Sequence, residues 1–117
     1  MNIDAIYQAY YDCAIWSSTQ GETPLEDVEF SLTPDFHESF KQDVISFCDA
    51  NRVLLEASGL TNSQIGHDFW LTRNHHGAGF WDRGLGEIGE KLTEVAQIYP
   101  EINLHIGDDG NLYSRMV

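Results

Sequence analysis

The apolar residues Ile3, Ile6, Tyr7, Tyr10, Ala14 and Ile15 recur at spacings of three and four, which predicts an amphipathic helix over residues 3–16. The period then breaks in "SSTQGETPLEDVEFSL", a polar stretch with a glycine and a proline that reads as a long loop holding a short extended piece at "VEF". Phe36, Phe40, Val44, Phe47 and Cys48, continued by Leu54 and Leu55, form a second stripe and predict the longest helix. Thr33 stands at its N-cap and Pro34 at its first helical position, where a missing N–H costs nothing; Asp35 and Glu38 complement the helix dipole. Leu85, Ile88, Leu92, Val95 and Tyr99 predict a third helix, stopped by Pro100. The tail alternates at Ile102, Leu104 and Ile106, turns at Asp109-Gly110 and returns through Leu112, which is a hairpin signal.

Between the second and third helices lies "GHDFWLTRNHHGAGFWDRG", residues 66–84. Strand-favouring aromatics on either side of the turn-tolerant "NHHGAG" predict another hairpin, with Asn74 to Gly77 at its tip. Antiparallel counting then sets Leu71 opposite Phe80, Trp70 opposite Trp81 and Asp68 opposite Arg83, and places Asp68, Trp70, Trp81 and Arg83 on one face. The elements together predict an α+β domain over residues 1–117: about three helices packed on a small antiparallel sheet of three or four strands, built from two hairpins.

Composition adds limits on function. A hydrophobic share of 42% with 21% charged residues is a globular balance, and no apolar run reaches the roughly 18 to 20 residues of a membrane span. The N-terminal "MNIDAIYQAYYD" is acidic where an export signal is basic and then apolar, so the expected location is the cytoplasm. Cys13 and Cys48, far apart and each within a predicted helix, read as buried thiols. The 19 acidic residues against 6 Lys plus Arg give a net charge of −13, a field that repels nucleic acid and anionic membrane. Glu22, Glu26, Asp27, Glu29, Asp35, Glu38, Asp43 and Asp49 face only Lys41 in their segment. Two readings stand for them: a solvated face that aids solubility, or a patch that docks on a basic partner by imitating nucleic-acid phosphates.

Residues 66–84 concentrate the candidate chemistry. His67, Asp68, His76 and Asp82 supply the histidine and carboxylate types of proton transfer, and Arg73 or Arg83 would fork an anionic group. Trp70, Arg73, Asn74, Trp81 and Arg83 are also residue types that anchor interfaces or ligands. A plain structural role remains alongside these, in which the aromatics are core and the charges satisfy one another. No metal or cofactor is expected: H-E-x-x-H and paired cysteines are missing, and adjacent His75 and His76 on a strand would face opposite ways. Ser63 has no nucleophile elbow, and "HGAGF" lacks the lysine of a phosphate loop. His37 and His105 read as surface histidines.

The string "GHDFWLTRN", one variable residue and "HGAGFWDRGLGEIGEKLT", with "YYDCAIWSS" near the start and "GDDGNLY" near the end, resembles a family of small bacteriophage-encoded proteins of no assigned function. The likeness covers most of the chain. The family commonly has glycine between Asn74 and His76, so His75 departs from its pattern and His76 is the better candidate. The resemblance implies a phage origin. By analogy with small acidic phage proteins that bind and disable host enzymes, it favours a cytoplasmic accessory protein that modulates a host protein with a basic surface, as a host-takeover or counter-defence inhibitor. The rival expectation is a small enzyme or ligand- or metal-binding protein with its site in the hairpin of residues 67–83. A virion component is disfavoured by the lack of repeats.

Overall fold

Five α-helices and two small antiparallel hairpins make up the α+β architecture of the computed structural model, which describes residues 1–117. In chain order these are α1 (Ile3–Ser17), β1 (Thr19–Gln20), β2 (Thr23–Pro24), α2 (Pro34–Ala50), α3 (Arg52–Ser58), α4 (Asn62–Arg73), α5 (Glu87–Gln97), β3 (Ile102–Ile106) and β4 (Leu112–Met116), with single 3-10 turns at Leu25–Asp27 and Phe80–Asp82. Strand β1 pairs only with β2 and β3 only with β4, so two separate two-stranded sheets stand where one sheet of three or four strands was expected.

Helix α1, the start of α2, helix α5 and the C-terminal hairpin follow the pattern of apolar positions. Pro34 is at the first helical position of α2, although the Thr33 side chain at its N-cap makes no capping hydrogen bond. The expected single helix through Leu55 is two: Asn51 leaves the helical region at φ −121 and ψ 24, and its side-chain amide donates to Phe47 O at 2.9 Å. The polar stretch after α1 contains the β1–β2 hairpin and a turn that buries Leu25 completely. The extended piece expected at "VEF" appears one step later, as a single parallel bridge from Ser31 to Asn111. His37 is not on a wet face: its Nδ1 is 2.7 Å from the Tyr7 hydroxyl, and its ring meets Tyr11 edge-on at 5.1 Å.

The largest correction concerns residues 66–84, whose first half is a helix. Helix α4 opens with a reciprocal capping box in which Gln64 N donates to Thr61 Oγ1 and Thr61 N donates to Gln64 Oε1. Every residue from Asp68 to Arg73 is buried. A helical segment buried all round has no polar face to reveal its period, and aromatic-rich "DFWLTR" then imitates a strand.

One continuous core of 22 buried apolar residues joins α1, α2, α4 and α5 to β3 and β4. Its centre is aromatic: Phe47 stacks on Phe69 at 4.1 Å between ring centres, and Tyr10 stacks on the same ring at 5.3 Å. Cys13 and Cys48 are buried thiols, 4% and 0% exposed. Gly66 sets the spacing of α4 against α1, since a Cβ there would lie 2.1 Å from Ile6 O and 2.8 Å from Tyr10 N. Both atoms are backbone of α1, so the helices would have to separate.

Gly66→Ala is expected to destabilise the fold by about 3 kcal/mol, because overpacking against backbone outweighs the gain in helix propensity. Gly77→Ala, where an added Cβ meets nothing within 4 Å, is its control and should stay within about 0.5 kcal/mol of the parent. Chemical denaturation of the two variants checks the difference.

Candidate functional site

Helix α4 carries four of the nine candidates expected between residues 67 and 83, His67, Asp68, Trp70 and Arg73, with Arg73 in its last turn. The Arg73 side chain is 0% exposed. Its Nε and Nη2 donate to Pro100 O at 3.1 and 2.7 Å, while Nη1 donates to the Tyr10 hydroxyl at 3.0 Å and to Asp43 Oδ2 at 2.7 Å. The guanidinium also lies over the rings of Phe69 and Tyr99. Burial pushes the Tyr10 phenol well above its ordinary pKa, against the opposing pull of Arg73, so it remains a neutral hydroxyl. Arg73 is a tie between elements and presents no free fork to a ligand.

Trp70 and Asn74 are internal in the same way. The Trp70 indole N–H donates to Ser17 Oγ at 2.8 Å from a side chain that is 2% exposed. Asn74 accepts from Ile102 N at 2.9 Å and donates to Trp70 O at 3.0 Å, joining the end of α4 to β3. Neither is a surface anchor, and Trp70 does not share a face with Trp81, which is 53% exposed.

After Asn74 the chain reverses through His75 at φ 56, the left-handed region that favours glycine. His75 Nε2 lies 3.7 Å from Glu101 Oε1. Gly79 brings the return segment against α4, where a Cβ would lie 2.3 Å from Thr72 Oγ1, and Phe80 N donates to that hydroxyl at 3.2 Å. Phe80 is thereby buried beside Phe47.

The 3-10 turn that follows delivers Arg83 to Asp68. Nε donates to Oδ2 at 2.8 Å and Nη2 to Oδ1 at 2.9 Å, a bidentate fork on a carboxylate that is 1% exposed. The hydrogen bond to Asp68 raises the Arg83 pKa above its ordinary value. The Asp68 to Arg83 pairing expected from strand register therefore exists, made by a helix and a turn instead of two strands. His67 Nδ1 stands 3.4 Å from Asp68 Oδ1, and His67, Asp68, Gly79, Asp82 and Arg83 line a cleft of about 210 Å³. Three of the four catalytic candidates converge there; His76 lines a different cleft. Both oxygens of Asp68 are held by Arg83, which leaves the half-exposed His67 and the exposed Asp82 as the groups open to solvent.

On the far side of His67, Trp16 and Cys13 line a shallow hollow. Burial, reinforced by the charge of Asp68, pushes the Cys13 thiol up to about 12, and burial pushes Cys48 up to about 11, so neither is a thiolate nucleophile near neutral pH. No three His, Cys, Asp or Glu side chains group closely enough to hold a metal ion. No buried side-chain nitrogen or oxygen lacks a hydrogen-bond partner.

The expected acidic patch divides. Asp43 belongs to Arg73 and Asp49 to Arg52 at 3.5 Å, while Lys41 is taken by Asp4. Glu22, Glu26, Asp27, Glu29, Asp35 and Glu38 are exposed. None of these six forms an ion pair.

The sequence singled out Trp70, Asn74 and His76 but missed the rest of the larger cleft, of about 620 Å³, because its remaining lining comes from residues 17–21, residues 101–105 and Arg115. Segments that distant share no local spacing. The one local sign was the exposed phase of the C-terminal strands.

Arg83→Met should destabilise the protein by about 3 kcal/mol, since it leaves a buried carboxylate without its counter-charge. Asp68→Asn combined with Arg83→Met should recover more than half of that loss, because no charge is then buried alone. Urea titrations of the two variants measure the recovery, and equal losses would show that packing, not charge, dominates at this pair.

No protein family matches the chain, and neither a curated protein nor a solved structure matches it significantly.

Proposed function

We propose that the chain is a small acidic accessory protein of bacteriophage origin that binds a basic surface on a host protein and modulates it. The observation that carries this reading is the set of six exposed acids between Glu22 and Glu38 with no cationic partner, in a chain of net charge −13. Exposed charges left unneutralised project their field into solvent, which accelerates encounter with an oppositely charged surface and disfavours nucleic acid and anionic lipid. Trp16 and Trp81, 63% and 53% exposed, are residue types that add apolar anchorage to such a contact.

A second reading, a small enzyme or ligand-binding protein, rests on the convergence of His67, Asp68 and Asp82 in one cleft. The bidentate hold of Arg83 on Asp68 weighs against it, because both oxygens of that 1% exposed carboxylate already accept from a fixed guanidinium.

Capture from a lysate of the host bacterium, followed by binding kinetics on the captured partner, tests the proposal. Reversing Glu26, Asp27 and Glu29 to lysine should lower the association rate about tenfold or more, and raising salt should do the same to the parent. His67→Gln with Asp82→Asn should leave binding unchanged. If charge reversal has no effect while the His67 and Asp82 pair abolishes binding, the acidic surface is not the interface and the cleft reading replaces it.

A further inference from the structure

The polar groups of the molecule are spent very unevenly. Around residues 66–84 Asp68, Arg73 and Arg83 are held in ion pairs, whereas six of the fourteen residues that line the cleft of about 620 Å³, Ser18, Thr19, His76, Asn103, His105 and Arg115, have side chains that make no hydrogen bond within the protein. Its floor is the outward face of β3 and β4. Ile102 and Leu104 turn inward, while Asn103 stands directly opposite Arg115 in register and His105 is the next residue on the same face. Such diagonal neighbours lie roughly 7 to 8 Å apart, within reach of one small ligand. The loop hydroxyls of residues 17–19 and His76 line the same cleft.

Arg115 is the arginine without a carboxylate. Arg52, Arg73 and Arg83 pair with Asp49, Asp43 and Asp68, in a chain where 19 acids compete for 6 Lys plus Arg. A guanidinium left without a carboxylate among so many, at a cleft that two imidazoles also line, is suited to hold an anion. The carboxylate at the cleft, Glu101, is the one already beside His75. A carboxylate ligand would be satisfied by the arginine fork alone. The additional imidazole and hydroxyl donors match the three acceptor oxygens of a phosphate group. The volume falls in the range of small-molecule sites, roughly 300 to 1,000 Å³, and exceeds what phosphate alone would fill.

We propose that this cleft binds a small phosphate monoester, a mononucleotide or a sugar phosphate, with Arg115, His76 and His105 on the phosphate and Asn103 and the loop hydroxyls on the polar remainder. The site is separate from the acidic segment and from the Asp68 to Arg83 pair, so it stands or falls independently of the host-protein reading.

Isothermal titration of the intact protein with adenosine monophosphate, ribose 5-phosphate, inorganic phosphate, adenosine and citrate tests it. One or both monoesters should bind with a Kd below about 1 mM, more tightly than inorganic phosphate, with adenosine and citrate at least about tenfold weaker. Comparison of the two monoesters distinguishes nucleotide from sugar phosphate. Arg115→Met and His105→Gln should each weaken binding about tenfold, Arg115→Met without moving the melting temperature because its side chain has no internal hydrogen bond, and His105→Gln with only the small shift of losing its stacking on Tyr113. The proposal is overturned if neither monoester binds at about 5 mM, if citrate binds as well as the monoesters, or if Arg115→Met leaves their affinity intact.

Discussion

A guanidinium buried without water must have its donors satisfied, and Arg73 meets that demand by binding three parts of the chain at once. Tyr10 comes from α1, Asp43 from α2 and the Pro100 carbonyl from the turn into β3. Burying a charge is costly, and the partners are arranged to limit the cost: Asp43 remains 46% exposed, so only one member of the ion pair loses its hydration completely. The Phe69 and Tyr99 rings cover the guanidinium faces. Because the same arginine addresses a phenol, a carboxylate and a carbonyl, displacement of any one element leaves a buried donor unmet. This sets the position of α4, and from α4 the rest follows: Asn74 fixes β3, Thr72 receives the return segment and Asp68 receives Arg83.

Residues 66–84 therefore act as a clasp, whose histidines, arginines and glycines have mostly geometric work. Gly66 and Gly79 are points where α4 touches other chain segments too closely for a side chain, and His75 occupies a backbone conformation that favours glycine. What the clasp leaves over defines where function can lie: an acidic surface without counter-ions, and a polar cleft on the opposite account, with a free arginine and two histidines.

The amphipathic elements were legible because each shows water one face. Helix α5 and the β3–β4 hairpin alternate inside and outside with their own period, and Pro34, Pro100 and the Asp109-Gly110 turn punctuate them. Helix α4 was not legible by period, since its second half from Asp68 to Arg73 is enclosed on all sides, but the Thr61 to Gln64 capping box lay in the sequence as a local sign of a helix start. The Asp68 to Arg83 pair was anticipated from the wrong secondary structure, because complementary charges at that separation meet equally well across a helix and turn. Arg73, Trp70 and Asn74 looked like ligand residues by type; only their long-range partners, Pro100, Ser17 and Ile102, reveal the structural role, and no spacing rule encodes such partners.

The most direct test of the role of Arg73 is the unfolding free energy of Arg73→Lys by urea titration, with partner and ligand binding measured on the same preparation. A lysine keeps the charge but its single ammonium cannot span the Pro100 carbonyl and the Tyr10 and Asp43 oxygens together, so a loss of about 3 kcal/mol is expected. A variant as stable as the parent that had lost its binding would contradict it, and would place Arg73 at a working site.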